Sequence, residues 1–170
     1  MEHNLYILSV VIHILSVVVW LGSAAFLVIA ALPFFKKIAP DQLLSFFEFS
    51  EKRLRIIGWS AFLLLLLTGI YSIHYRFGFS SITQQAFWID GAGQLLFFKL
   101  LLFVVIIGLS FWHDFISGPK TLGIWREFRN GRLECENELS KLRRYASLLG
   151  RIIGIIAIAI IVLAVKIVRG

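Results

Sequence analysis

His13, His74, Lys99 and His113 are four nitrogen-bearing residues that interrupt or border long apolar runs in this 170-residue chain. Imidazole and neutral amine nitrogens ligate metal and haem iron. A charge within such a run costs about 2.5–3.5 kcal/mol on membrane-insertion scales, so residues of this kind face a partner or a cavity and not lipid. His13 belongs to the series Ser9, His13, Ser16, Trp20 and Ser23. Its spacing of three and four puts all five on one face of an otherwise apolar helix. Serines bonding between helices would explain such a stripe by themselves, whereas a histidine in its middle points to a site. A second stripe holds Lys99, Phe103, Ile106, Ser110, His113 and Ser117. Lys99 thus points the same way as Ser110 and His113. The plainer alternatives are snorkelling of Lys99 to the headgroups and, for His113, a helix C-terminus whose dipole favours a cation.

The elements that must position these residues are membrane helices. The chain is 59% hydrophobic, with a mean hydropathy of +0.86. Leu5–Leu32, Ile56–Ile73, Leu95–Trp112 and Leu148–Val165 each reach the roughly 18 apolar residues that span a bilayer. Only helices and closed barrels cross lipid. The fold class expected is all-α: an integral membrane four-helix bundle with amphipathic cytoplasmic helical extensions. One domain covers 1–170, with helices about 5–32, 42–75, 94–117 and 147–168 and a cytoplasmic loop at 119–146. The opening MEHN has no basic n-region and no small-residue cleavage site follows cleanly, so the first run is expected to stay as a helix. Pro40-Asp41 is a helix start, and LLSFFEFSEKRLRI after it is an amphipathic stretch for the headgroup layer. Gly118-Pro119 breaks the chain after helix three. Beyond it, charge alternates at helical spacing around an Asn130-Gly131 turn, as in one or two surface helices. Helix four carries Ser147, Gly150, Gly154, Ala157 and Ala164 on one face, a stripe suited to close helix packing.

The net charge of +7 is distributed as in a membrane protein. Lys36, Lys37, Lys52, Arg53 and Arg55 lie between helices one and two. Lys120, Arg126, Arg129, Arg132, Lys141, Arg143, Arg144 and Arg151 lie between helices three and four. Arg76 alone lies between helices two and three. By the positive-inside rule the two basic loops are cytoplasmic and both termini are external. Lys166 and Arg169 weakly oppose this orientation. Nucleic acid is therefore not an expected partner. The single cysteine, Cys135, forms no disulfide within the chain and no metal site of its own.

Depth decides which residues can meet. At 1.5 Å per residue, His13 lies roughly 12 Å below the outer start of helix one, and Lys99 roughly 6–9 Å below that of helix three. Helix two runs outward and brings His74 to the external surface. These three form an expected outer-half group, while His113 lies about 21 Å from Lys99 along its helix. Two chemistries suit the group. The first is haem b, held by His13 with Lys99 or His74 as second ligand, Arg76 near the propionates, and Trp20, Phe98 and Phe103 against the ring. The second is copper. Soft Cu(I) prefers Cys and Met, and the chain has one of each, so ligand softness favours haem.

Several short motifs resemble the membrane domain of the CopD (copper resistance D) family and the related HemJ family of protoporphyrinogen oxidases. They are His13, Trp20 and Gly22 in an H-x6-W-x-G pattern, Pro33, Thr68-Gly69, Lys99, and His113-Asp114-Phe115 with Gly118-Pro119. The last group is closer to CopD. Helix one continues as SAAFLVIAALPFF, where HemJ chains carry a Tyr-Leu-Pro-Arg-Leu-type sequence. The HemJ resemblance implies His13 and Lys99 as axial haem ligands and oxidation of protoporphyrinogen IX. The CopD resemblance implies movement of copper across the inner membrane. The function expected is an inner-membrane haem-b redox protein, an oxidoreductase if it is an enzyme. The alternatives are a copper transport or tolerance protein and a cofactor-free assembly subunit. Expected partners are the lipid bilayer, quinone or respiratory-chain proteins, and a second copy of the chain.

Overall fold

The computed structural model describes residues 1–35, 40–89, 91–130 and 136–169. Lys36, Lys37, Gly131, Arg132 and Cys135 lie outside them, as does the Asp41 side chain expected to cap helix two. Every element described is helical: α1 (Glu2–Phe26), a π turn (Leu27–Ala31), α2 (Leu32–Phe35), α3 (Pro40–Phe77), α4 (Phe79–Ile82), α5 (Gln85–Ile89), α6 (Gly91–Trp112), a second π turn (His113–Ser117), α7 (Gly118–Arg129) and α8 (Glu136–Arg169). The chain is all-α, with four helices long and apolar enough to cross a membrane. At most 22% of the apolar window of any of the four is buried. Their outward faces are apolar, as expected of helices solvated by lipid.

The helices form two compact units, Met1–Phe87 and Trp88–Gly170. In the first unit α1 packs along α3, and in the second α6 packs along α8. The burial pattern follows the stripes read from sequence. Ser9 and Ser16 are buried on α1, and Leu96, Ile106 and Ser110 on α6. On α8 Ala157, from the small-residue stripe, is buried while Ile155 and Ile158 are exposed.

Prolines shape both helix ends. Each π turn stops one residue short of a proline, Pro33 or Pro119. Proline has no N–H to give and its ring crowds the carbonyl four residues back, so the helix widens there. The chain therefore does not break at Gly118-Pro119 as the sequence suggested, but runs through the π turn into α7. Gly118 makes this possible. Its N–H bonds the His113 carbonyl, and a Cβ on it would stand 3.0 Å from that oxygen. Gly78, with φ +72°, ends α3 in a conformation that favours glycine. The stretch 119–146, expected as a loop with surface helices, is helical over most of its length: α7 fills its start and α8 begins at Glu136.

Candidate functional site

Contacts along α1 and α3 descend one helix as they climb the other, so the pair is antiparallel. His3 meets Tyr75, Tyr6 stacks on Tyr75, Ser9 and His13 meet Thr68, and Trp20 meets Phe62. His13 is half-buried and Thr68 buried. The Thr68 hydroxyl lies 2.6 Å from the Leu64 carbonyl of its own helix, which commits its one proton there. The same Oγ1 lies 2.7 Å from His13 Nδ1. With that proton so placed, the contact fits an Nδ1–H that donates to Thr68. In that tautomer the lone pair of the neutral ring is on Nε2. A hydrogen bond of this kind holds the ring in one orientation.

The surroundings keep the ring in place. Ser9 Oγ donates to the Thr68 carbonyl at 3.4 Å. Gly69 flanks the imidazole edge, where a Cβ would lie 3.8 Å from His13 Cε1. Ser16 and Ser23 instead donate to Ile12 and Val19 of their own helix, at 2.8 and 2.6 Å. Only the Ser9–His13 part of the stripe therefore reaches the other helix through a polar contact described here. Trp20 tilts against Phe62 at 5.1 Å, and Trp59 meets the same ring edge-on at 5.7 Å. An open, mainly apolar groove of about 400 Å³ lies between α1 and α3. Ile12, Ser16, Ala61 and Leu64 line it, so it abuts the turn that holds His13 and Thr68.

The other expected site residues have different company. His74 is exposed and stacks on Phe79 of α4, 4.5 Å between centroids. Arg76 is exposed, with its guanidinium 5.9 Å from the Phe77 centroid. Lys99 is half-buried on the α6 face that holds Leu96 and Ile106, while Phe98, Leu100 and Leu101 are exposed. His113 opens the second π turn, with Nδ1 2.9 Å from Asp114 Oδ1. Among the described residues no three His, Cys, Asp or Glu side chains gather as a metal-ion site. The sequence reading missed Thr68 as the partner of His13, and missed His3, Tyr6 and Tyr75 altogether. Tyr6 extends the Ser9–His13 spacing by one step, and Thr68 and Tyr75 are seven apart on α3. That spacing was the available signal.

A family profile described as copper resistance protein D (CopD) matches residues 50–166, from within α3 to near the end of α8. The chain belongs to the CopD family. It is accordingly a membrane protein of the copper-resistance type. The CopD match takes in Thr68, His74, Arg76, Lys99 and His113, and begins after His13 and Trp20. No curated protein and no solved structure matches the chain.

Proposed function

We propose that this CopD-family chain is an inner-membrane redox protein that binds haem b, which His13 would hold through Nε2. The observation that carries the proposal is the His13–Thr68 hydrogen bond. It orients a half-buried imidazole, and the tautomer it favours carries the lone pair on Nε2. A haem needs one or two such ligands, unlike a free ion held by three or four side chains, so the donor set fits it. Bound haem would supply one-electron redox chemistry. Thr68 would hold the Nδ1 proton and so raise the basicity of the ligand. Trp20 and the apolar groove beside Ile12 would keep water from the ring, and Arg76 would pair with carboxylates near the end of α3. Lys99 is proposed as a second ligand on its chemistry and its place on the α6 stripe, with His74 as the alternative. Both termini are proposed to be external, and the electron partner to be a quinone or respiratory-chain protein. Protoporphyrinogen oxidation of the HemJ type is the enzymatic form of this function.

Copper transport or tolerance is the second reading, and the CopD match supports it. His13 suits Cu(II) as an imidazole donor. A reduced-minus-oxidised absorption spectrum of detergent-purified protein, with metal analysis of the same sample, separates the two. A b-type α band near one haem per chain is the expected result. A colourless protein after expression with ample haem would overturn the haem proposal, and bound copper in that sample would favour the second reading.

A further inference from the structure

One face of α8 combines cations and apolar side chains in a way the site does not use. Lys141, Arg144, Leu148, Arg151 and Ile155 follow one another at steps of three and four, so they share a side of the helix. All five are exposed. Tyr145 is 68% exposed beside Arg144, and Ile155 and Ile158 are 68% and 62% exposed. Buried Ala157 lies on the opposite side. Among the described residues none of the three cations has an ion-pair partner. From Leu139 to its end, α8 has no carboxylate. The face thus changes along its length from exposed positive charge, through an exposed tyrosine, to bare aliphatic surface.

We propose that this face is a binding site for an anionic phospholipid. Lys141, Arg144 and Arg151 hold the phosphate and the acidic headgroup. Leu148, Ile152 and Ile155 carry the acyl chains. Arg144 and Arg151 are about 10 Å apart along the axis, a span that two flexible arginines can close on one headgroup by snorkelling. A zwitterionic lipid offers the same chains and the same phosphate but no net charge. Selectivity for the anionic headgroup is therefore the signature. Each basic residue near an anionic surface contributes roughly 1 kcal/mol.

The test uses the full-length protein in mild detergent, titrated with phosphatidylglycerol or phosphatidylcholine and read by melting temperature and by lipid adducts in native mass spectrometry. Phosphatidylglycerol is expected to raise the melting temperature more than phosphatidylcholine does, with the difference shrinking in high salt. Arg144→Gln with Arg151→Gln should weaken apparent phosphatidylglycerol affinity about 30-fold, with the phosphatidylcholine response unchanged. Lys166→Gln with Arg169→Gln, at the far end of the same helix, should leave the preference intact. Equal response to both lipids overturns the proposal, and so does a preference that survives the Arg144/Arg151 change. A face that instead mediates self-association would show as loss of a dimer in the double variant without loss of lipid preference, which also overturns it. Should the double variant not fold, Lys141→Gln and the wild-type adduct pattern decide by the same criteria.

Discussion

The α1–α3 pair and the α6–α8 pair both close two lipid-solvated helices on each other, but with different side chains. The first is joined by polar and aromatic groups: His13 on Thr68, His3 on Tyr75, Tyr6 stacked on Tyr75 at 4.2 Å, and Trp20 against Phe62. In the second, a small residue on α8, Ala157, and Leu96, Ile106 and the small polar Ser110 on α6 are buried. Lipid gives helices no hydrophobic reason to associate, so packing and interhelical hydrogen bonds must do it. A hydrogen-bonded interface can also hold an imidazole in one orientation, which a smooth small-residue contact cannot. The comparison therefore puts the oriented imidazole of His13 in the first unit and makes α8 chiefly a packing helix.

Breaking the second interface should have the largest effect on stability. Ala157→Leu adds volume where the helix is buried and should cost about 1–3 kcal/mol, measured by equilibrium unfolding in mixed micelles. Leucine at the exposed Ile155 should be nearly silent in the same assay. The first interface should respond to polarity at constant shape. Thr68→Val keeps the volume but removes the acceptor for His13, and should cost about 0.6–1.7 kcal/mol, with Thr68→Ser restoring most of it. Gly118→Ala should cost on the order of 1 kcal/mol by pressing a methyl against the His113 carbonyl. Faster amide exchange around residues 113–118 would report it. Ser23→Ala, which removes only a bond to its own helix, should stay within about 0.5 kcal/mol of wild type. A Ser23→Ala cost equal to that of Thr68→Val would erase the distinction between the two kinds of stripe residue.

Much of this was legible in the sequence. Long apolar runs gave the four helices, and spacing of three and four gave the buried sides of α1 and α6, whereas on α8 Ala157 of the stripe is buried but Ser147 and Gly150 are exposed. The prolines were read less well. Gly118-Pro119 looked like a break because a proline usually ends a helix, whereas a π turn accommodates it and the helix continues. His13 was found because a histidine in an apolar run is conspicuous. Thr68 was noticed only within a family-like Thr-Gly pair, because a threonine can return its hydroxyl to its own backbone at little cost and so attracts no notice. Its hydroxyl does so here, and that bond favours His13 as the donor of the pair. The pairing of His3 with Tyr75 depends on the antiparallel register of α1 and α3, which no local pattern encodes.

The most direct test of the account is the reduced-minus-oxidised spectrum of wild type beside His13→Ala, purified identically, with haem quantified per chain and imidazole added back. The account predicts a b-type α band in wild type, its loss in His13→Ala, and partial recovery with imidazole. A full haem complement in His13→Ala would show that His13 is not an essential ligand and would contradict the assignment made from its bond to Thr68.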